Sequence, residues 1–238
     1  MDEERFYRKK VYRKDYTVYE VKQGETDILV SADKNFYSNT LDFVSKYRNY
    51  LENYIKSNPD FLTSFAPLPD NPYAPPIIQD MLHAAKSVGV GPMAAVAGAI
   101  AQYVGSDLRN LSRNVIIENG GDNYMDTEKD VIISIYAGKS PLSEKIAIRI
   151  TPEQMPCGVC TSSATVGHSV SFGSADAVCV VAPSAILADA AATALGNRVR
   201  TKKDIKDVLE KAMEWKDISG VLIIMGDYLG VTGDIVLE

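Results

Sequence analysis

The first part of the chain alternates between apolar and polar side chains and then changes to a helical spacing. Residues 16–21 and 26–30 alternate as half-buried strands do, and a short glycine-containing turn joins them, so we predict a β-hairpin. Residues 40–57 carry apolar side chains three and four positions apart, which predicts a helix capped by Ser38 or Asn39.

Helical patterns return after a proline-rich connector. Residues 58–76 contain many prolines and no period, so we expect an irregular segment that could pack over a site. Residues 77–88 predict a helix that ends at Gly89, and Pro92 fits the first turn of the next helix. An alanine-rich helix is expected next to a strand at residues 177–182, with Pro183-Ser184 as its start and Gly196-Asn197 as its stop.

Strands and one charged helix, at residues 202–214, account for most of the remainder. The expected strands are residues 114–119, 130–137, 145–151, 177–182, 221–225 and 234–237. Because strands come mostly in consecutive pairs, with helices grouped between them, the pattern predicts an α+β fold. Its sheet would be antiparallel or mixed rather than doubly wound and parallel.

The composition is that of an ordinary globular protein, with 46% hydrophobic and 24% charged residues among 238. A net charge of −6 disfavours nucleic-acid binding, which usually needs a basic surface. The sequence contains no apolar run near the ~20 residues of a membrane span, and MDEERFYRKK lacks the apolar core of a signal peptide. Three cysteines are too few for a disulfide scaffold, so we expect a cytoplasmic protein without a membrane partner.

The alanine-rich helix carries the strongest candidate chemistry. Asp189 and Thr193 are four residues apart and therefore share a helix face, among small apolar residues that we expect to be buried. A buried carboxylate is costly unless it is paired or binds a cation, and carboxylate and hydroxyl oxygens suit Mg²⁺ or Ca²⁺. The structural alternative is that Asp189 accepts hydrogen bonds from a nearby backbone segment while Thr193 bonds to its own helix.

Two glycine-containing turns are candidate ligand sites. The turn at Gly91 leads into a helix that contains Gly98, and the free N–H groups at a helix start attract anions. Gly120, Gly121 and Asp122 follow an apolar strand, where backbone amides could face a ligand. Close helix packing and an ordinary turn are the respective structural alternatives.

A hydroxyl-rich segment follows a pair of cysteines. Its candidate binding residues for a phosphate or a polar ring are Thr161, Ser162, Ser163 and His168. Cys157 and Cys160 form one CxxC motif, which can lower the pKa of a thiol, whereas a zinc site would need further ligands. An ordinary polar loop and two unrelated small residues near a strand are the alternatives.

Taken in order, these motifs resemble the ApbE-like superfamily, whose characterised members are FAD:protein FMN transferases. The matching segments are Gly91 to Gly98, Glu118 to Asp122, Cys160 to Ser163, Gly167 to Ser169 and Ala188 to Thr193. The chain is most similar to the small, poorly characterised prokaryotic branch. The resemblance implies an ApbE-like α+β fold with antiparallel sheets, helices and an internal pseudo-duplication.

The resemblance also implies a site and a reaction. In the family an Asp and a Thr four residues apart hold Mg²⁺ with a backbone carbonyl, and these fall here on Asp189, Thr193 and Ala94. The metal holds the pyrophosphate of FAD, a Ser or Thr hydroxyl of an acceptor protein attacks phosphorus, and AMP leaves while FMN stays attached. Asp189 and His168 are the candidate catalytic residues. The candidate residues for binding FAD or FMN are Gly91, Gly98, Gly120, Gly121, Asp122, Thr161, Ser162, Ser163 and His168.

Two positions differ from the transferases of the family. The helix has Ala97 where they carry a lysine, and no Asp-Pro pair follows the histidine motif. Three functions are therefore compatible with the sequence. The first is a Mg²⁺-dependent flavin nucleotide site with FMN transfer, the second is a non-catalytic accessory protein that keeps the pocket, and the third is sulfur handling by the cysteines, such as sulfide incorporation into homocysteine.

We expect one ApbE-like domain over residues 1–238. Its N-terminal hairpin and helix would occupy residues 1–75, its motif-bearing core residues 76–200, and its last helix and strands residues 201–238. The alanine-rich helices could also mediate a homodimer.

Overall fold

A computed structural model describes residues 15–165 and 172–238 of the chain. The α-helices are α1 (Tyr37–Ser57), α2 (Asp60–Thr63), α3 (Pro76–Val88), α4 (Val96–Leu108), α5 (Ala185–Gly196) and α6 (Asp204–Ala212), and 3₁₀ turns lie at Pro92–Ala95 and Pro152–Gln154. The strands are β1 (Thr17–Gln23), β2 (Thr26–Ala32), β3 (Val115–Asn119), β4 (Asp122–Asp126), β5 (Val131–Ser134), β6 (Ala147–Ile150), β7 (Cys157–Ser162), β8 (Ala177–Ala182), β9 (Gly220–Met225), β10 (Tyr228–Gly233) and β11 (Val236–Leu237).

These strands form two antiparallel sheets. The larger sheet has the order β1-β2-β3-β4-β7-β8-β9-β10, and the smaller sheet has the order β11-β6-β5. The larger sheet separates two hydrophobic cores, and alternate side chains of β8 belong to one or the other. Val178 and Val180 face the helices, whereas Cys179 and Val181 face the smaller sheet. The larger sheet is therefore the middle of three layers, and the predicted α+β class with antiparallel sheets is confirmed.

The order of elements repeats in the two halves of the larger sheet. Strands β1 and β2 precede helices α1 to α4 and then β3 and β4, and strands β7 and β8 precede α5 and α6 and then β9 and β10. In each half the strand before the helices pairs with the strand after them. The halves meet where residues 123–125 of β4 pair with residues 157–159 of β7. This repeat is the internal pseudo-duplication that the resemblance implied.

Several local expectations need correction. The pattern did not predict β4, β7 or β10, all of which contain polar residues or glycine that weaken a strand signal. The cap expected at Ser38 or Asn39 is wrong, because α1 begins at Tyr37 after Phe36. Residues 58–76 are mostly irregular as expected, although they include the short helix α2.

Within residues 15–165 and 172–238, no single helix is long and apolar enough to cross a membrane. Residues 76–88 and 92–108 reach that length and composition only as a pair, which is bent by 105°. Both helices contribute side chains to the hydrophobic core.

Candidate functional site

Hydrogen bonds at the start of α5 hold this helix in place. The Ser184 hydroxyl accepts a hydrogen bond from the Leu187 N–H at 3.3 Å, so the predicted start of the helix is confirmed. The side-chain oxygen of Gln102 on α4 accepts from the Ala185 N–H at 2.7 Å. These bonds tie the first turn of α5 to α4 and place Asp189 in the next turn.

Two glycines bring α5 into direct backbone contact with its neighbours. A Cβ on Gly98 of α4 would lie 2.2 Å from the Ala185 carbonyl oxygen, and a Cβ on Gly158 of β7 would lie 2.2 Å from the Ala185 Cα. No larger residue fits at either position without a shift of backbone. The close packing of α4, α5 and β7 is therefore the structural role of Gly98, and it brings Asp189 to the start of α4.

The carboxylate of Asp189 lies buried against the first turn of α4. Its Oδ2 accepts a hydrogen bond from the Gly98 N–H at 2.8 Å, and the Ala97 backbone also donates to the carboxylate. Burial raises the pKa of Asp189 well above its usual range and the nearby Asp122 raises the pKa further, while the two backbone bonds oppose that shift. The structural alternative for Asp189, a carboxylate that accepts hydrogen bonds from a nearby backbone segment, therefore describes these two bonds.

The remaining predicted cation ligands belong to α5 and to the turn that precedes α4. Thr193 is half-buried and lies one helical turn beyond Asp189 on α5. Ala94 belongs to the 3₁₀ turn that leads into α4 and packs on α5. Because Ala95 is the N-cap residue, the Ala94 carbonyl precedes the first acceptor of the regular helix.

The donor set suits a hard cation with few protein ligands. Among the described residues no group of three or more His, Cys, Asp or Glu side chains could hold a metal, so a site rich in charged or soft ligands is absent there. Magnesium is commonly held by one or two carboxylates, with water and substrate phosphates completing its octahedron. Asp189, Thr193 and the Ala94 carbonyl fit that chemistry.

The predicted glycine turn joins β3 to β4 beside this carboxylate. Gly120 and Gly121 have φ angles of +70° and +109°, which side-chain-bearing residues rarely adopt. The Gly121 N–H donates to Glu118 Oε1 at 3.1 Å, so this amide serves the turn instead of facing a ligand. Asn123 Nδ2 donates to the carbonyls of Gly121 and Val159, each at 3.2 Å, and thereby fixes the turn against β7.

The predicted hydroxyl residues lie at the end of β7. Thr161 and Ser162 are half-buried residues of the strand, and Ser163 follows directly after it. A Cβ on Gly196 would lie 3.3 Å from Ser162 Oγ, so the Ser162 hydroxyl approaches the last turn of α5. Thr161 faces the opposite side of the sheet, where its side chain hydrogen-bonds to Cys179. His168 lies outside the described residues.

The CxxC cysteines do not share a site. Cys157 and Cys160 are three positions apart on β7 and therefore face opposite sides of the sheet, Cys157 toward the smaller sheet and Cys160 toward the helices. Burial raises the pKa of Cys157 to about 12 and the pKa of Cys160 well above its usual range. Cys179 is buried as well, so the arrangement does not favour sulfur chemistry.

Two asparagines that support the site were missed in the sequence. Asn119 Nδ2 donates to the Ala97 carbonyl at 3.1 Å and so ties the end of β3 to the first turn of α4. Asn123 holds the glycine turn from its other side. The signal available was the pair of amides on either side of residues 120–122, because Asn can bond to neighbouring backbone groups.

Sequence comparison finds close relatives over most of the chain. Residues 9–224 match the sequence model of the family described as "AbpE bacteria". A UPF0280 protein of Methanocaldococcus jannaschii is 46% identical over 218 residues, which cover 89% of this chain and 88% of that protein. A UPF0280 protein of Methanococcus maripaludis strain C5 is 46% identical over 219 residues, with the same coverage of the two chains.

Solved structures share the fold at low sequence identity. The apo form of the flavinyl transferase ApbE from Pseudomonas stutzeri has a TM-score of 0.57 and 12% identity, covering 93% of this chain and 95% of that one. The ApbE protein from Thermotoga maritima has a TM-score of 0.55 and 14% identity, covering 90% of this chain and 96% of that one. The likeness confirms the expected fold.

Proposed function

We propose a flavin nucleotide as the ligand of this chain, which belongs to the family described as "AbpE bacteria" and has the fold of the ApbE flavin transferases. In this proposal the nucleotide binds together with Mg²⁺ between α4, α5 and the ends of β3 and β7. Membership of the family and the likeness of fold support the class of ligand, and the chemistry of the predicted residues supports the place.

The observation that carries the proposal is the position of Asp189. Its carboxylate is buried beside the first turn of α4 and close enough to Asp122 for the two negative charges to interact unfavourably. A divalent cation beside Asp189 would offset that repulsion and favour the ionised carboxylate. Asp189, Thr193 and the Ala94 carbonyl would hold the cation, which would neutralise pyrophosphate charge when bound.

The surrounding residues support a nucleotide phosphate rather than an apolar ligand. Ser162 provides a hydroxyl donor at the end of β7, beside the last turn of α5. The first turn of α4 adds the positive end of its helix dipole near Gly98. The fixed glycine turn next to β7 leaves little side-chain bulk beside these groups.

We propose FMN transfer to a Ser or Thr hydroxyl of a protein as the reaction. The hydroxyl oxygen forms a bond to the FMN phosphorus of FAD, the bond from this phosphorus to the bridging oxygen breaks, and AMP leaves with the hydroxyl proton. Such transfers depend mainly on positioning and on neutralising charge. Asp189 would contribute by holding the cation, and His168 remains a predicted catalytic residue.

A titration with FAD tests the ligand. We expect binding that requires Mg²⁺ in the wild type and that is weakened more than tenfold by Asp189→Asn, which keeps the size of the side chain. Asp204→Asn is the matched control, because Asp204 also accepts backbone N–H groups at a helix start, from Arg200 at 3.0 Å and Thr201 at 2.7 Å. Absence of FAD binding by the wild type with Mg²⁺ would refute the proposal.

A product assay tests the reaction. FAD, Mg²⁺ and a threonine-containing acceptor peptide are incubated with the protein. AMP and the flavinylated peptide are then separated by chromatography, quantified, and identified by mass spectrometry. We expect both products in equal amounts from the wild type and neither from Asp189→Asn. Tight FAD binding without either product would support FAD as the ligand and refute the proposed transfer step.

A further inference from the structure

A run of basic residues follows helix α5. Residues 198–203 contain four cations and no acidic residue, although acids outnumber bases by 31 to 25 in the whole chain. All four cations belong to exposed residues, which are Arg198, Arg200, Lys202 and Lys203. A basic segment on an acidic protein draws a negatively charged partner to one place, because the rest of the surface repels that partner.

The backbone of this basic segment is held in place by hydrogen bonds. The Asp204 carboxylate accepts from the Arg200 N–H at 3.0 Å and from the Thr201 N–H at 2.7 Å. The Val199 carbonyl accepts from the Ser174 N–H at 2.7 Å, which ties the segment to the residues before β8. The cations therefore extend from a fixed backbone, and a partner that binds them does not have to order it.

Two of the four cations are left to bind a partner. Lys202 forms an ion pair with Asp227, and the Arg198 guanidinium lies 5.9 Å from the centroid of the Trp215 ring, a contact that leaves its charge in place. Within residues 15–165 and 172–238, neither Arg200 nor Lys203 belongs to an ion pair. Arg200 and Lys203 are therefore the cations that an incoming carboxylate can pair with at the lowest cost.

The basic segment lies at the same end of the larger sheet as the proposed nucleotide site. Neighbouring strands from β3 to β10 are antiparallel, so the turns at residues 120–121 and 226–227 both lie at the end where β7 finishes with Ser162. Lys202 lies against the second turn, since a Cβ on Gly226 would be 3.5 Å from its Cε. Only β8 separates β7 from β9, so about 10 Å lies between the end of β7 and that turn.

We propose that Arg200 and Lys203 are the centre of a surface that docks an acidic segment of the acceptor protein, an inference that rests on the proposed function. An extended peptide covers 10 Å in about three residues, so a peptide held here could also place a hydroxyl at the end of β7. Its carboxylates would pair with the cations while its Ser or Thr reaches the nucleotide. The net charge of −6 favours an acidic peptide over nucleic acid as the partner.

Peptides that differ only in their acidic residues test this inference. A fluorescent peptide has one threonine and a run of glutamates that begins about four positions away from it, and its partner peptide has glutamines instead. We expect the wild type to bind the glutamate peptide about tenfold more tightly at low ionic strength, and added salt should reduce the difference. Arg200→Gln combined with Lys203→Gln should abolish most of this preference. In the product assay this double variant should raise the KM of the glutamate peptide and leave kcat unchanged.

Two further variants separate this surface from an effect of net charge. Lys34→Gln combined with Arg113→Gln is the matched control, because it removes the same two charges from exposed residues at the opposite end of the larger sheet. Arg200→Lys combined with Lys203→Arg keeps both charges in place. Both double variants should bind the glutamate peptide as the wild type does. The affinity for FAD with Mg²⁺ should be that of the wild type in all three double variants, because none of them removes a group proposed for the nucleotide.

The failures are distinguishable. Equal wild-type affinity for the two peptides, or an unchanged preference or KM in the Gln variant of Arg200 and Lys203, would overturn the docking surface and leave the proposed function standing. Weaker FAD binding by that variant would also overturn it, because the cations would then serve the nucleotide. Absence of FAD binding by the wild type would refute the proposed function, whereas the peptide titrations would still decide whether the surface selects acidic segments.

Discussion

The buried carboxylate of Asp189 accepts a 2.8 Å hydrogen bond from the backbone N–H of Gly98, which lies 91 residues earlier in the chain. The acceptor and the donor belong to different halves of the repeated fold. The contact exists because glycine allows the Ala185 carbonyl to occupy the space that a Cβ at position 98 would need. One side chain thus connects the start of α4 to the middle of α5.

Gly98→Ala should push α4 away from α5. The new Cβ would meet backbone, which cannot rotate aside, so we expect a loss of about 1–3 kcal/mol in the free energy of unfolding and weaker Mg²⁺-dependent FAD binding. Gly196→Ala is the comparison, because the nearest neighbours of its Cβ would be side-chain atoms, Ser162 Oγ at 3.3 Å and Ser162 Cβ at 3.6 Å. Urea denaturation of the three proteins measures the effect, and equal midpoints for both variants would contradict it.

Asn123→Asp should destabilise the junction of the two halves. The carboxylate would face the carbonyl oxygens of Gly121 and Val159 in a buried position, where Asn now donates to both. We expect a loss of about 2 kcal/mol, measured by chemical denaturation. Asn110→Asp is the matched control, since Asn110 also donates to two carbonyls but is exposed, and its effect should stay within about 0.5 kcal/mol.

Ser184→Ala should weaken α5 without removing a proposed ligand of the cation. It deletes the hydroxyl that caps the helix at Leu187 and that also donates to Gln102, so we expect about 1 kcal/mol of lost stability. Ser184→Thr keeps a hydroxyl at the same place and should retain most of it. Thermal unfolding of both variants decides the matter, and a Thr variant as unstable as the Ala variant would show that the cap is unimportant.

The buried thiols should make stability fall in alkaline solution. Burial raises the pKa of Cys179 to about 12, whereas a thiol in the unfolded chain ionises near pH ~8.5. Between these values the native state holds more protons than the unfolded state, so the free energy of unfolding decreases as pH rises. Denaturation of wild type and Cys179→Ala at pH 8, 9, 10 and 11 under reducing conditions should show the steeper decline in the wild type; parallel curves would contradict the burial of this thiol.

Periodicity predicts those elements whose environment is uniform along their length. The helix α1 has one buried face and α5 is buried on nearly all faces, so spacing in one case and composition in the other identify them. Strand β7 escapes prediction because it contains Gly158, a residue that is unfavourable in strands. Glycine is needed there because the Ala185 backbone packs on it, and this long-range cause leaves no local signal.

In the candidate site, too, features set by one element are visible in the sequence, whereas features set by long-range packing are not. The four-residue spacing of Asp189 and Thr193 was visible in the sequence because it is a property of one helix. The hydrogen bond of Asp189 to α4 depends on how two distant helices pack and could not be derived from spacing. The CxxC pair illustrates the reverse case, since two residues close in sequence are separated by the sheet once β7 is known to be a strand.

Within residues 15–165 and 172–238, the pairing of β4 with β7 is the only strand pairing between the two halves of the larger sheet, and it extends over three residue pairs. Residues proposed to hold the ligand come from both halves of the fold, on either side of this short β4–β7 pairing. A nucleotide bound there would contact both halves of the fold. Its binding free energy would add to the free energy of unfolding and oppose separation of the two halves. The molecule would then be most vulnerable to proteases and heat in the interval before its ligand arrives.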